Sequence, residues 1–308
     1  GRDALQSNTT ASNNTAVGYR ALEDNTTGSP NTAVGYVALT NNTTGDSNTA
    51  LGYIALGDNS TGGYNTAIGQ QSLNSNTTAS YNTAVGYQAG YSNTTGVELV
   101  ALGYEALYSS TATGNTGLGY RAGRNTTGDD NTFVGGFAGF DNTSGSSNTS
   151  LGWNSLSNNT TASQNTAVGY RSLYLNTTGA ENVALGERAL TANTTASNNT
   201  ALGRVSMFSN TTGANNTAVG NNSLRANTTA SENTAVGTKS LYANTTGTKN
   251  TAVGYEALSA LTTTGDNTAV GWNAGKGVTG ANNVAMGAYA LDAAFGANDN
   301  IAIGGHSL

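Results

Sequence analysis

Few side chains in this sequence are equipped for reaction chemistry, and their spacing does not gather them. There is one histidine, His306, and no cysteine. A nucleophile, a general base or a metal ligand needs convergent partners, and His306 stands at a variable position with none in its pattern. The Asp and Glu residues scatter through turns and variable positions without recurring at a fixed place. No Gly-Gly-x-Gly-x-Asp calcium repeat occurs. Gly-x-Gly matches are many, but no strand-to-helix context follows them, so they are not phosphate loops. The absence of cysteine removes disulfide frameworks and thiolate metal sites. No catalytic, cofactor-binding or metal-ligating residue is assigned, no cofactor is expected, and the expectation is a protein that is not an enzyme.

Two other residue types do recur. Aromatic rings stand at Tyr19, Tyr36, Tyr53, Tyr87, Tyr104, Tyr120, Trp153, Tyr170, Tyr255 and Trp272. Beside Arg20, Arg121 and Arg171, such a strip can stack on sugar rings or grip a partner. The competing reading is that neighbouring rings stack on one another. Asn-Thr-Thr or a close variant starts at Asn8, Asn25, Asn42, Asn59, Asn76, Asn93, Asn125, Asn142, Asn159, Asn176, Asn193, Asn210, Asn227 and Asn244. Each matches the N-glycosylation sequon, while Asn and Thr also suit tight turns with no sugar attached. Stacked copies would set these Asn only about 4.8 Å apart, too close for a glycan on each.

The elements that position these residues follow from a repeat. The Gly after the aliphatic residue of Asn-Thr-Ala-Val-Gly falls at Gly1, Gly18, Gly35 and onward to Gly304, at spacings of 17 and, three times, 16. Counting from that Gly, the preceding residue is always Val, Leu, Ile or Met. Two before it stands Ala in 15 of 18 copies, three before it Thr in 14, and four before it Asn in all but the copy holding Leu99. Three and four after it stand Ala or Ser and then, in 14 of 19 copies, Leu. Fixed spacing over so many copies is the signature of a solenoid. Breakers in every copy leave no ten-residue stretch for a helix.

The expected fold is therefore all-β: one continuous parallel β-solenoid over residues 1–308, with about eighteen coils and two short strands per coil. The coils would stack about 4.8 Å apart, making a rod of roughly 85 Å. Alternation within each strand suggests that Thr and Val point inward and the Ala between them outward. An outward face held to Ala would then suit close approach of another chain. The Asn column is the natural side-chain ladder, since an amide both donates and accepts. The recurring Gly is expected to adopt a conformation closed to other residues, or to permit close approach of another backbone. Where Gly replaces Leu, at Gly90, Gly123, Gly139 and Gly275, Tyr91 and Phe140 are expected to fold into two of the gaps. Gly1 and Gly304 share one phase, so the chain reads as a segment of a longer array.

Composition narrows the function classes. Only 9% of residues are charged and the net charge is −6. With basic residues scattered singly, nucleic acid and anionic membranes are poor partners. No run of 18 apolar residues occurs, so no segment inserts in a membrane as a helix.

The phrase Asn-Thr-Ala-Val-Gly-Tyr-x-Ala-Leu at Asn14–Leu22, Asn31–Leu39 and Asn250–Leu258 resembles the head repeats of YadA-like trimeric autotransporter adhesins and similar phage tail-fibre-like proteins. The resemblance covers the whole chain and lies in the Ala, aliphatic and Gly positions, with Thr usually replacing the family's Val. It implies a left-handed β-roll, homotrimeric, extracellular and adhesive. The family's usual coil is shorter, and the extra length here lies in the Asn-Thr-Thr turn. Together these readings point to a structural fibre segment, a rod at a cell or virion surface. Self-association is its expected partnership, with a host-surface protein or glycan as a further candidate partner. Alternatives are a carbohydrate- or protein-binding module using the aromatic strip and a glycosylated structural filament subunit. Ice binding is disfavoured, because the two Thr of each turn are adjacent and cannot share one face of a strand.

Overall fold

The computed structural model describes residues 1–293 and 295–307. Leu308, the last Leu of its column, lies outside them. The chain is all-β, and the described residues contain no helix. Two compact units divide it, Gly1–Leu151 and Gly152–Leu308. The first carries nine parallel strands, β1 (Thr15–Val17) to β9 (Thr149–Leu151), and the second nine more, β10 (Thr166–Val168) to β18 (Ile301–Ile303). Within each unit successive strands pair one-to-one, as Thr15 with Thr32 and Val17 with Val34, or Thr217 with Thr234 and Val219 with Val236. The repeat spacing thus becomes the coil, with each copy lying on the next.

Each coil holds one three-residue strand rather than two. The limb opposite the strand runs through turns, because two of its residues adopt left-handed conformations. In the second coil these are Arg20 (φ 54°) and Leu22 (φ 51°), and in the third Val37 (φ 57°) and Leu39 (φ 51°). Alternating backbone handedness prevents a pleated strand, yet the coils still bond to one another along this limb. Leu22 N donates to Ala38 O at 3.1 Å, and Leu39 N to Ala55 O at 3.0 Å. Strand geometry is given up there while hydrogen bonding is kept.

The facing of the strand is the reverse of the sequence expectation. Ala33, Ala50, Ala67 and their equivalents in the later strands are buried, with Ala16 in the first strand partly so, while Val17 is 56% and Leu51 47% exposed. The interior is too thin for Val. The Ala column faces the Leu column of the opposite limb, and the two nearly touch. A Cβ on Gly117, which stands in the Ala column, would lie 2.7 Å from Leu107 Cγ. The core is one layer of Ala against one layer of Leu. Burying each Leu contributes roughly 1.5–3 kcal/mol. Because the Ala face is internal, it offers nothing to another chain, and the argument for a trimer built on that face falls.

The core stays filled where its pattern breaks. Phe133 replaces Ala in β8 (Thr132–Val134) and is fully buried between Gly123 and Gly139, both of which replace Leu. Leu99, in place of the Asn, fills the space beside Gly90, with Leu99 Cδ2 3.3 Å from where a Cβ would stand. Val278 does the same for Gly275 at 3.5 Å. Tyr91 and Phe140 do not fold into these gaps. Tyr91 stacks on Tyr108 at 5.1 Å, and Phe140 packs edge-on against Phe137.

The recurring Gly meets both conditions expected of it. Gly35 has φ 147°, and a Cβ on it would lie 2.2 Å from the carbonyl oxygen of Gly52 in the next coil. Both the backbone angle and the contact exclude a side chain.

Candidate functional site: the aromatic strip and the asparagine columns

Both recurring groups are held by the stacking itself. In the first unit Tyr19, Tyr36 and Tyr53 form one run, with centroids 5.2 and 5.4 Å apart and nearly parallel planes. Tyr87, Tyr104 and Tyr120 form another at 5.1 and 5.3 Å. Gln70 separates the two runs. After Tyr120 the strip continues through Phe137, edge-on at 5.2 Å. In the second unit Trp153 and Tyr170 stand exposed, and Tyr255 stacks on Trp272 at 4.2 Å. Between Tyr170 and Tyr255 the position is taken by Glu187, Arg204, Asn221 and Thr238.

These rings are about half exposed, but what they expose is limited. A ring stacked on its neighbours has its faces covered, leaving edges and hydroxyls toward solvent. Sugar recognition by stacking uses ring faces. Arginines occupy part of what remains: Arg121 lies over Tyr120 at 5.1 Å and over Tyr104 at 5.7 Å, and Arg171 over Tyr170 at 5.3 Å. Arg20 instead pairs with Glu23. Two further stacked pairs, Tyr64 with Tyr81 and Tyr91 with Tyr108, lie outside the strip predicted from sequence. Their signal was available, since each pair shares one repeat position in consecutive coils.

The Asn-Thr-Thr asparagines form a buried ladder. Asn42 Nδ2 donates to Asn25 Oδ1 at 2.8 Å and to Gly45 O at 3.0 Å, and Asn59 Nδ2 donates in turn to Asn42 Oδ1 at 2.8 Å. The second unit repeats this through Asn176, Asn193, Asn210 and Asn227. Twelve of the fourteen predicted sequon asparagines are fully buried: Asn25, Asn42, Asn59, Asn76, Asn93, Asn142, Asn159, Asn176, Asn193, Asn210, Asn227 and Asn244. Asn8, in the first coil, is exposed, and Asn125 is displaced from the column. The coil holding Asn125 has lost one residue, so Thr126 takes the ladder position and its Oγ1 accepts from Asn142 Nδ2 at 2.7 Å. The Thr that follows the Asn is tied as well: Thr26 Oγ1 donates to Thr43 O at 2.9 Å.

A second ladder runs through the Asn that precedes each strand. Asn48 N donates to Asn31 Oδ1 at 2.8 Å, and Asn48 Nδ2 to Gly62 O at 2.8 Å. These side chains are also buried. They cap the strand entry of one coil from the coil before it.

Ionic contacts are few and local. Glu105 accepts from Arg124 Nε at 2.7 Å and from Arg121 Nε at 3.0 Å. Burial opposes its ionisation, but the Arg124 hydrogen bond and the two positive charges outweigh that and hold its carboxyl below the usual value. Glu256 is likewise lowered, chiefly by the hydrogen bond from Lys276, with Lys239 also in reach. His306 stacks on Tyr289 at 4.8 Å. Among the described residues no three His, Cys, Asp or Glu groups come together as a metal site, and no helix is long and apolar enough to cross a membrane.

No family model, no curated protein and no solved structure matches this chain.

Proposed function

We propose that the chain is a structural segment of an extracellular fibre, a stiff repeat that spaces or displays other parts at a cell or virion surface. The observation that supports this reading is the coil-to-coil locking within each unit. Each coil is bonded to the next by backbone ladders, two Asn ladders and an Ala–Leu core, so its order depends on its neighbours. Such stacking resists local bending because a hinge would break several columns at once. At about 4.8 Å per coil, a nine-coil unit is roughly 43 Å long. The positions that recur from copy to copy are the ones that make the stacking contacts, which is what a spacer requires. Sugar binding by the aromatic strip is the less favoured reading, because the rings cover one another's faces.

Immunogold labelling of intact source cells or virions, with antibody raised against the folded chain, tests the proposal. Gold along surface filaments is the expected result. Gold confined to the cell interior after sectioning overturns it.

A further inference from the structure

The outward facing of Thr and Val alters what the strand surface is able to bind. Fourteen of the eighteen strands present one Thr and one aliphatic side chain, two residues apart, on the solvent side of the sheet, and the other four present Val or Ile in place of the Thr. In the second unit Thr200, Thr217, Thr234, Thr251 and Thr268 occupy five consecutive coils in one-to-one register. Beside them run Leu202, Val219, Val236, Val253 and Val270. The first unit repeats the arrangement from Thr15 to Thr83. Across all eighteen strands neither outward position holds a charged residue.

The hydroxyls on this face differ from those in the turns. Thr211 Oγ1 and Thr228 Oγ1 are committed to carbonyls of the next coil, at 2.9 and 3.1 Å. No hydrogen bond within the described residues ties the hydroxyls of the five strand threonines, so they are left for water. Their spacing is fixed at about 4.8 Å from coil to coil, and the two outward columns lie roughly 6.6–6.8 Å apart along the strand. The face is therefore a regular two-dimensional array of hydroxyl and methyl groups.

We propose that the outward face of the strands in each unit binds ice. Regularly spaced hydroxyls hydrogen-bond to waters, while the intervening methyl groups order the waters between them. Charged side chains would impose hydration shells of their own, and the face has none. A water site on a mobile surface would cost ordering entropy. Here the Ala layer, packed on Leu beneath, holds the side chains in place beforehand. Each coil adds little, and binding accumulates because the contacts are linked in one array. The adjacency that argued against ice binding concerned the turn threonines, which are not the ones on this face.

Ice-affinity partitioning of the fluorescently labelled full chain onto a cooled metal finger tests this, alongside thermal hysteresis. The wild-type chain is expected in the ice fraction, and the Thr217→Lys/Thr251→Lys variant in the liquid. Thr212→Lys/Thr246→Lys, on exposed turn positions, is expected to partition as the wild type does. Circular dichroism checks folding of each variant, and Thr217→Tyr/Thr251→Tyr replaces the Lys pair if that pair fails to fold. A folded wild-type chain that stays in the liquid overturns the proposal. So does undiminished ice binding by a folded sheet-face variant. A stable oligomer in solution that shields Thr217→Cys from maleimide assigns the face to a second copy instead, and equally overturns it.

Discussion

Phe133 occupies the space that a side chain on Gly139 would need: a Cβ there would stand 2.1 Å from Phe133 Cδ1. Gly123 on the other side of the ring shows the same complementarity, at 2.4 Å from Phe133 Cδ2. The ring thus replaces two leucines of the opposite limb. Phe133→Ala should cost about 3–5 kcal/mol, because the coils cannot collapse onto the void. Gly139→Leu alone should also destabilise, through overlap with the ring. The double variant Phe133→Ala/Gly139→Leu restores the usual Ala–Leu pairing and should recover much of the loss. Urea unfolding of the four proteins gives the coupling term; purely additive effects would contradict the packing account.

The Asn ladder makes a graded prediction. Asn193 donates to Asn176 Oδ1 and Ala196 O and accepts from Asn210. Asn244 donates to Asn227 and Gly247 O, but its own Oδ1 is buried without a partner, since Leu261 follows it in the column. Asn193→Ala therefore breaks one bond more than Asn244→Ala. It should cost more, by about 0.5–1.5 kcal/mol, which hydrogen exchange of the neighbouring coil amides would measure.

The same ladder bears on glycosylation. A buried Asn whose Nδ2 already donates twice has neither room nor a free amide for a sugar. Offered folded to an oligosaccharyltransferase in vitro, the chain should accept glycan at Asn8 and Asn125 and at none of the twelve buried ladder positions. Peptide mapping reads this directly, and glycan at Asn42 or Asn193 on folded protein would refute it.

Much of this was legible in the sequence, and the misreadings share one physical cause. The spacing of Gly18, Gly35 and Gly52 gave the coil, and the recurrence of Asn25, Asn42 and Asn59 gave the ladder. The phase of Tyr19 and Tyr36 gave the stack. The direction in which Ala33 points was not legible. Alternation places Thr32 and Val34 together on one side but does not say which side, and hydrophobicity favours Val34 inward. What decides is the width of the coil. Leu39 reaches across from a limb whose left-handed residues were invisible in composition, leaving room for Ala alone. The same blindness to the opposite limb assigned the gap at Gly139 to Phe140, its sequence neighbour, rather than to Phe133.

Glu105 ties two arginines together, and its contribution should depend on acid. Its carboxyl is held below the usual value in the folded chain, so the stabilisation is complete above the unfolded-state value of about 4.3. It is lost as pH falls through the lower folded-state value. Glu105→Gln should cost roughly 1–3 kcal/mol at neutral pH, because the Arg124 and Arg121 contacts lose their charge partner. Thermal unfolding midpoints of wild type and variant should converge as pH falls through the lowered folded-state value. A constant gap from neutral to acid pH would show that the ion pairs contribute nothing.

The facing of the strand underlies the packing, the supposed stiffness and the ice-binding face alike. Cysteine scanning across β13 (Thr217–Val219) tests it most directly, because the chain has no cysteine of its own. Thr217→Cys and Val219→Cys should react with a bulky maleimide in the folded protein, while Ala218→Cys should stay unlabelled until denaturant is added. Rapid labelling of Ala218→Cys, with Thr217→Cys and Val219→Cys protected, would invert the coil and contradict the account.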